Sequence, residues 1–412
     1  MLNFKRSAVL MCSYLIFCAL VQQLPAADGL SSYLFAYFTG NSSKNGDEAI
    51  RFALSDDAHT FKCLNNNKPV LSSAKISSTG GVRDPHILRG ENNDFYMVAT
   101  DMVSDNGWNS NRGIVMLKSS DLVDWKSSTV NIPNTFPAYK NADRVWAPQT
   151  IYDPTVGKYM VYFAMRLGSA DKDKIYYAYA DSSFTKLESE PKLLYKYGNL
   201  SAIDADIIYK DSTYHLFFKT EQSGNGIKSA LSKKLTEEYE LYDKYLQVTS
   251  SAVEGSCVFK LINSDTYIMM YDVYTSGKYE FAISTDLKTF TKDPKPVSFD
   301  FHPRHGTVIP ITNAEKTALL SKWDPTGILS NYNKTAQSVA LSLRGNTIDI
   351  TFEKHLSNDK VELIDISGKK VLTQNISGKS ARIDLSNITA GVYHITWRSH
   401  SGNAGCTRVM IR

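Results

Sequence analysis

Five short polar signatures, spread along the chain, supply the residue types that acid–base chemistry needs. They are Arg83-Asp84-Pro85, Val145-Trp146-Ala147-Pro148-Gln149, Ile203-Asp204-Ala205-Asp206, Val253-Glu254-Gly255-Ser256 and Arg304-His305-Gly306-Thr307. Three of them contain candidate catalytic carboxylates, which are Asp84, Asp204 and Glu254. Hydrolysis of a glycosidic bond requires an acid that protonates the leaving oxygen and a base that directs water onto the anomeric carbon. The signatures therefore predict this chemistry if the fold brings them to one place.

The segments that follow the signatures indicate how the fold could do so. Each segment runs apolar, turns and runs apolar again, and the five signatures follow one another at intervals of roughly 50 to 60 residues. Such repeats of short strands predict the blades of a β-propeller, in which the first strand of every blade lines the central axis. We expect an all-β fold, a five-bladed β-propeller followed by a small C-terminal β-sandwich-like domain. The N-terminal strands, near residues 34–38 and 49–55, are expected to complete the last blade, whose inner strand begins near His305.

Each carboxylate also has a structural interpretation. Asp84 precedes Pro85, and Asp-Pro commonly starts a turn. Asp204 and Asp206 lie two residues apart on the same face of a strand, where one of them could simply bond a neighbouring backbone. Glu254 could lie in a surface loop. The occurrence of three carboxylates at equivalent points of three repeats favours the functional interpretation.

The ordered set of signatures resembles glycoside hydrolase family 43, the five-bladed propeller arabinofuranosidases and xylosidases, over roughly residues 30–323. The resemblance implies that Asp84 is the general base, Glu254 the general acid, and Asp204 the carboxylate that orients the acid and tunes its pKa. We expect the negative charge of Asp204 and partial burial to raise the pKa of Glu254. His305 matches the axial histidine of the family, which often holds a water or a metal ion, although a buried histidine with satisfied hydrogen bonds is an alternative.

Several details bear on cofactor and substrate. No cofactor is expected to be required, and a structural calcium ion at the propeller axis near His305 is the metal that the resemblance allows. Ala205 and Ser256 stand where the family often has Pro, and Gln149 stands where many relatives carry an acid, which affects the substrate more than the chemistry. Five-bladed sucrose and fructan hydrolases are a rival assignment, but they need Asn-Asp-Pro where this chain has Arg-Asp-Pro.

The leading functional prediction is a secreted inverting glycoside hydrolase that acts on plant polysaccharide side chains or oligosaccharides, with α-L-arabinofuranosidase as the first candidate. β-Xylosidase or exo-β-galactosidase activity on the same fold is one alternative, because loops that close the pocket choose the sugar. A non-catalytic carbohydrate-binding propeller is the other. Trp146 and Trp108 are expected to form an aromatic platform for the sugar, although Trp108 could equally anchor its own loop.

Composition and the N-terminus restrict the partners. The formal net charge is +4 and no basic run exceeds two residues, so a nucleic-acid partner is not expected. Lys5 and Arg6 precede an apolar run at about residues 8–21 and a small-residue sequence at 25–27, an order typical of a signal peptide over residues 1–27. The run is shorter than the ~20 residues that span a bilayer, so no membrane span is expected. The three cysteines beyond residue 27 lie far apart and form no disulfide framework.

The remaining chain divides into a catalytic propeller at residues 28–323, a linker at 324–334 and a C-terminal β-domain at 335–412. Residues 335–412 contain ten Lys and Arg against six Asp and Glu. This part resembles the type A sorting domain of the type IX secretion system of Bacteroidetes, on residues 361–371 and 385–393 and the basic terminus at Arg412. A carbohydrate-binding or fibronectin-like sandwich is the alternative, but it usually needs about 100 residues. We therefore expect a secreted or cell-surface location, with the type IX machinery as a partner besides the saccharide.

Overall fold

The computed structural model describes residues 29–42, 44–221, 224–324, 339–344, 346–365, 369–398 and 404–411. The predicted signal peptide and residues 325–334 of the predicted linker lie outside this set. The described part is mostly β. The first half contains β1 (Leu30–Phe38), β2 (Arg51–Ser55), β3 (Thr60–Cys63), β4 (Val82–Arg89), β5 (Phe95–Asp101), β6 (Gly113–Ser119), β7 (Lys126–Asn131), β8 (Arg144–Asp153), β9 (Lys158–Arg166), β10 (Lys174–Tyr179), β11 (Lys192–Tyr195), β12 (Ala202–Lys210) and β13 (Thr213–Thr220).

The second half continues the β structure. It contains β14 (Ile227–Ser232), β15 (Glu240–Tyr242), β16 (Glu254–Lys260), β17 (Tyr267–Val273), β18 (Lys278–Ser284), β19 (Thr291–Lys292), β20 (Ser298–Phe299), β21 (Arg304–Thr312), β22 (Val339–Arg344), β23 (Thr347–Asp365), β24 (Lys370–Asp384), β25 (Gly391–Arg398) and β26 (Ala404–Ile411). The α-helices are α1 (Ser73–Ile76), α2 (Ile132–Thr135) and α3 (Asn313–Trp323), and 3-10 turns lie at Asn65–Asn67, Ser104–Asn106 and Pro137–Tyr139. No helix among the described residues is long and apolar enough to cross a membrane.

Strands β1–β21 form five sheets. Four of them follow chain order, namely β4–β7, β8–β11, β12–β15 and β16–β19, and the fifth has the order β20-β3-β2-β1-β21. We call β4, β8, β12, β16 and β21 the inner strands. Each contacts the next in this order, and β21 also contacts β4. The antiparallel pairing of β1 with β21 confirms that the N-terminal strands complete the last sheet.

The core lies between neighbouring sheets, because successive residues of a strand point to opposite faces. On β5, Met97 packs into the cluster shared with the β1–β2 sheet, and Val98 packs into the cluster shared with β9. On β17, Met269 packs into the cluster shared with the third sheet, and Met270 packs into the cluster shared with the fifth sheet. Middle strands buried on both faces explain why the sequence shows continuous apolar runs there rather than alternation.

Helix α3 follows β21 and was not predicted. Thr312 and Glu315 form a capping box, in which the Thr312 side chain accepts from the Glu315 N–H and the Glu315 carboxylate accepts from the Thr312 N–H. The same Glu315 carboxylate receives two hydrogen bonds of 2.7 Å from Arg89 on β4. The helix is therefore tied to the first sheet, at the point where the sequence indicated only the approach to a linker.

The C-terminal strands form a separate sheet with the order β22-β23-β25-β26, and β24 pairs along β23. Its core cluster contains only residues from this part of the chain, among them Ile350, Leu363, Ile395 and Trp397. All the described strands of this region join one sheet, so the predicted sandwich-like arrangement stays a prediction.

Candidate active site

Four inner strands contain a β-bulge near their N-terminal ends. The register against the second strand of the sheet shifts between Arg83 and His86, Trp146 and Gln149, Ile203 and Asp206, and Glu254 and Cys257. One residue in each bulge is left-handed, with φ of 51° at Asp84, 44° at Ala147, 51° at Asp204 and 60° at Gly255. This conformation costs a non-glycine residue ~1–3 kcal/mol and is concentrated at functional sites. A bulge also bends the strand and re-aims its side chains.

The bulges surround one cavity of about 350 Å³. Its lining includes an outer tier of Glu254 and Arg304 and an inner tier of Asp84, Asp204 and His305. The inner tier is the deeper one: the side chains of Asp84, Asp204 and His305 are 14%, 9% and 8% exposed, against 22% for both Glu254 and Arg304. Consecutive residues of one strand thus contribute to both tiers.

The structure brings together all the site residues predicted from the sequence. The cavity lining includes Asp84, Asp204, Glu254, Trp146, Trp108 and His305. The expectation that the three carboxylates occupy equivalent points of the repeats is wrong by one residue. The position equivalent to Asp84 and Asp204 is Gly255, and Glu254 corresponds to Arg83 and Ile203. The offset arises because two residues of a bulged strand oppose one residue of its partner, so that both can face the cavity.

His305 lies between the two inner carboxylates. Its Nδ1 is 3.5 Å from an Asp84 oxygen and 4.0 Å from an Asp204 oxygen. Burial alone would lower the pKa of His305, but Asp204, Asp84 and Glu254 outweigh it and raise this pKa to about 9. His305 therefore carries a positive charge at neutral pH.

The two inner carboxylates respond differently to this charge. Burial alone would raise the pKa of Asp84, but His305 and a 2.8 Å hydrogen bond from the Thr100 hydroxyl outweigh it and hold the pKa below its usual value. Asp204 accepts a 3.0 Å hydrogen bond from the Gly255 N–H. Burial raises the pKa of Asp204 to about 6, with His305 opposing the shift and Glu254 adding to it. Asp84 is thus an ionised carboxylate at neutral pH, whereas Asp204 holds its proton into the mildly acidic range.

Glu254 faces two cations. Arg304 donates a 2.6 Å hydrogen bond to one of its oxygens, and the Lys219 ammonium lies 3.5 Å from the other. Arg304 also donates a 2.6 Å hydrogen bond to Asp272 on β17. Asp204 has a raised pKa, and the predicted effect of Asp204 on Glu254 stays a prediction.

Two indole rings form one wall of the cavity. Trp108 and Trp146 pack edge to face, with ring centres 6.4 Å apart. The Arg144 guanidinium lies 4.3 Å from the centre of the Trp146 ring, and that of Arg83 lies 5.2 Å from the centre of the Trp108 ring. These cation–π contacts hold both rings in place. Trp108 nevertheless remains 48% exposed, so its face is accessible to a ligand.

This cavity agrees with the sequence comparison. Residues 28–317 match the family model described as a probable glycosyl hydrolase domain, related to glycoside hydrolase family 43. The chain belongs to this family. Residues 345–412 match the secretion system C-terminal sorting domain. The glycosyl hydrolase domain therefore carries a type IX sorting signal, as predicted, which marks the protein for secretion or attachment at the cell surface.

Individual relatives were also found. An α-L-arabinofuranosidase of Bifidobacterium longum subsp. longum is 30% identical over 224 residues, which cover 46% of this chain and 20% of that protein. The chain thus spans about a fifth of the length of this curated relative. Among solved structures, a family 43 protein of Bacillus licheniformis is 15% identical with a TM-score of 0.47, covering 92% of this chain and 87% of that one. An α-L-arabinofuranosidase of Clostridium thermocellum is 14% identical with a TM-score of 0.43, covering 63% and 84%.

Other cavity residues of the glycosyl hydrolase domain were not predicted as site residues. They are Phe38, Asn41, Arg83, Met102, Ile203, Tyr274 and Arg304. Arg83, Ile203 and Arg304 directly precede the predicted Asp84, Asp204 and His305, so the signatures contained them without indicating their orientation. Lys219 lies at the end of a second strand, where nothing in the sequence marks it.

The metal expectation for the glycosyl hydrolase domain finds no support. Among the residues that the structure describes, no group of three or more His, Cys, Asp or Glu side chains is placed to hold a metal ion. The carboxylates of Asp84 and Asp204 lie beside the imidazole of His305. The calcium ion near His305 stays a prediction, and no step below is assigned to one.

Proposed function

We propose that the protein is a secreted, inverting glycoside hydrolase that removes terminal α-L-arabinofuranosyl residues from plant polysaccharide side chains or oligosaccharides. The five sheets of residues 28–323 are then the blades of a five-bladed propeller, and residues 335–412 are a C-terminal sorting domain beyond a linker at 324–334. The order of contacts among the inner strands supports the propeller arrangement. The arabinofuranosyl specificity is supported by the 30% identical arabinofuranosidase.

The observation that carries the proposal is the presence of three carboxylates with unlike surroundings in one cavity. Asp84, whose pKa is lowered, is suited to act as the base that activates water. The negative charge of Glu254 contributes to the raised pKa of Asp204. Glu254 lies in the outer tier, nearer the solvent from which the leaving group departs, and we assign it the role of general acid.

As the general acid, Glu254 would deliver a proton to the leaving oxygen, and in the cavity it is paired with Arg304 and Lys219. Arg304 has a second carboxylate partner in Asp272, so it can remain paired when its contact with Glu254 loosens. Asp204, with a pKa of about 6, provides a nearby proton reservoir. We infer that sugar binding weakens the Glu254–Arg304 contact and that the proton then resides on Glu254.

The cavity suits a small saccharide. Its volume of about 350 Å³ is at the lower end of the ~300–1,000 Å³ that ligand sites enclose. Trp146 and Trp108 provide indole surface against which the apolar face of a sugar can pack. These features support a site for one or two sugar units.

Two alternatives remain. β-Xylosidase or exo-β-galactosidase activity would use the same carboxylates with a different sugar in the cavity. A non-catalytic carbohydrate-binding propeller would need no division of carboxylates into base and acid. A panel of nitrophenyl glycosides identifies the sugar, and absence of turnover on the whole panel would favour the binding protein.

The mechanism is tested by matched amide variants. Asp84→Asn should lower kcat by roughly 10²- to 10⁴-fold on every substrate, because no leaving group replaces the base. Glu254→Gln should be far less damaging on an aryl glycoside with a good leaving group, which scarcely needs protonation. Proton NMR of the wild-type reaction should show the product appearing with inverted anomeric configuration. Retention would require a covalent intermediate and carboxyl groups only about 5–5.5 Å apart, and would remove Asp84 from the role of base.

A further inference from the structure

A second cavity, of about 360 Å³, lies at the outer edges of the second and third sheets. We call it the outer groove. It is lined by Tyr195, Lys196, Tyr197, Gly198, Asn199, Leu200, Tyr239 and Leu241. Tyr195 ends strand β11 and Leu241 lies on β15, and these are the last strands of neighbouring sheets. The intervening residues 196–201 connect β11 to inner strand β12.

The outer groove is close to the candidate active site along the chain. Leu200 lines the groove and Ile203 lines the active-site cavity. Three residues span at most about 11 Å even when fully extended. A chain of a few sugar units that occupies the active site therefore has the length to reach the groove.

Side-chain contacts lead from the active site toward the groove. Lys219 Nζ lies 3.5 Å from Glu254 and 5.1 Å from the ring centre of Tyr274, which lines the active-site cavity. The hydroxyl of the next residue, Thr220, is 3.4 Å from the hydroxyl of Tyr245. Lys219 and Thr220 are buried and Tyr245 is 41% exposed, so the path reaches the surface at Tyr245.

The path continues to the groove through a second lysine, Lys228. Lys228 Nζ lies 4.6 Å from the ring centre of Tyr245 and 5.6 Å from that of Tyr197, which lines the groove. Tyr245 and Tyr197 thus share contact with Lys228, and Tyr197 belongs to the groove. Tyr197 packs against Phe218 at 5.3 Å, which holds its ring in place. Rigid tyrosines provide contact area at a low cost in conformational entropy.

The charges along this path are balanced. Lys228 pairs with Asp243, and Lys219 pairs with Glu221 and Glu254. A polyanion would need a surplus of cations, whereas Lys219 and Lys228 are paired with carboxylates and Lys196 adds one charge to the lining of the groove. Tyrosine rings with exposed Lys196 and Asn199 at the edge suit a neutral ligand that is rich in hydroxyl groups.

We propose that the outer groove binds the main chain of a neutral polysaccharide whose terminal sugar occupies the active site. This inference rests on the proposed glycosidase function and extends it to a polymeric substrate. When one polysaccharide chain binds at the active site, its contact with the outer groove forms within the same complex. This second contact strengthens binding of the polymer without changing the chemistry at the cavity. A small glycoside reaches only the active site and gains nothing from the groove.

The test uses the full chain with Tyr197→Ala and, separately, Leu241→Glu. Leu241 is 42% exposed on an edge strand, so its replacement leaves the core intact. Both variants should raise KM on arabinoxylan or linear arabinan by roughly fivefold or more, with kcat/KM on a nitrophenyl arabinofuranoside unchanged. Tyr209→Ala is the matched control, since Tyr209 is 48% exposed at the opposite end of β12 and lines neither cavity.

Binding is measured separately from turnover, by affinity gel electrophoresis of Asp84→Asn with the same two polysaccharides in the gel. Adding Tyr197→Ala or Leu241→Glu should reduce the retardation, and adding Tyr209→Ala should not. Unchanged retardation and unchanged KM in both groove variants would overturn the proposal, as would an equal loss on the nitrophenyl glycoside. Absence of turnover by the wild type with groove-dependent retardation would refute the glycosidase assignment while leaving the groove as a polysaccharide site.

Discussion

At the scale of single residues, two aspartates at equivalent bulge positions have opposite pKa shifts although both adjoin His305. Asp84 is closer to the imidazole and accepts from Thr100, so its charged form is stabilised. Asp204 is farther from the imidazole and is affected by the negative charge of Glu254, so burial prevails. The same backbone geometry thus gives one carboxylate suited to act as a base and one that retains a proton.

This difference predicts the pH dependence of activity. Asp204, which forms an interacting pair with Glu254, has a pKa raised to about 6, so its proton is lost as the pH rises through this value. We therefore expect kcat/KM, which reports the free enzyme, to fall above about pH 6. Asp204→Asn should move this limb of the profile, since it removes one member of the pair.

The control for this pH profile is Asp206→Asn. Asp206 lies two residues further along β12, and its pKa is also raised, to about 7, chiefly by burial. It accepts a 2.7 Å hydrogen bond from the Val258 N–H and does not line the cavity. An alkaline limb that moves equally in both variants, or in neither, would exclude Asp204 as its source.

At the scale of elements, the β-bulges place residues of four inner strands around one cavity. Each bulge needs a left-handed residue, and on β16 that residue is Gly255. A Cβ atom there would lie 2.6 Å from the His305 ring, closer than any normal contact. Gly255 therefore permits the approach of β16 to His305, which in turn holds His305 beside Asp84 and Asp204.

Replacing this glycine separates backbone strain from crowding. Gly277→Ala introduces a left-handed alanine (φ 61°) with no atom within 4 Å of its Cβ, so it should cost about 1–2 kcal/mol. Gly255→Ala adds the clash with His305 and should cost ~1–3 kcal/mol more, with a large loss of kcat. Urea unfolding of both variants measures the difference. Equal destabilisation, with activity retained in both, would show that His305 can move away freely.

At the scale of the whole molecule, the described apolar clusters divide into two sets. Five clusters lie between the five sheets and contain residues up to Trp323. The sixth contains only residues from Ile348 onward. No described cluster mixes the two sets, so removal of the C-terminal part exposes none of the core around the candidate active site.

Deletion of residues 335–412 should therefore leave catalysis intact. We expect unchanged kcat and KM on a nitrophenyl glycoside and on polysaccharide, with the shortened protein accumulating in the periplasm because its sorting signal is gone. Fractionation and activity assays measure both effects. Loss of activity on polysaccharide alone would show that the C-terminal domain also binds substrate.

The residues that could do chemistry, and the elements in which they lie, could be predicted from the sequence. The polar signatures before apolar runs identified Asp84, Asp204, Glu254, Trp146 and His305, and all of them line the cavity. The runs located the strands, because burial on both faces leaves a continuous apolar pattern. The C-terminal residues 361–371 and 385–393 sufficed to identify the sorting domain.

How these residues are arranged in the site depends on the tertiary fold. The bulges placed Glu254 one tier outside Asp84 and Asp204, because a bulge shifts the register by one residue and leaves no trace in the repeat spacing. Arg304 and Lys219 reach Glu254 from 50 and 35 residues away in the chain. The pKa of Asp204 depends on burial and on charges from other strands, as the outer groove depends on the meeting of two sheet edges. Such quantities arise from distances between remote segments, which the order of residues does not contain.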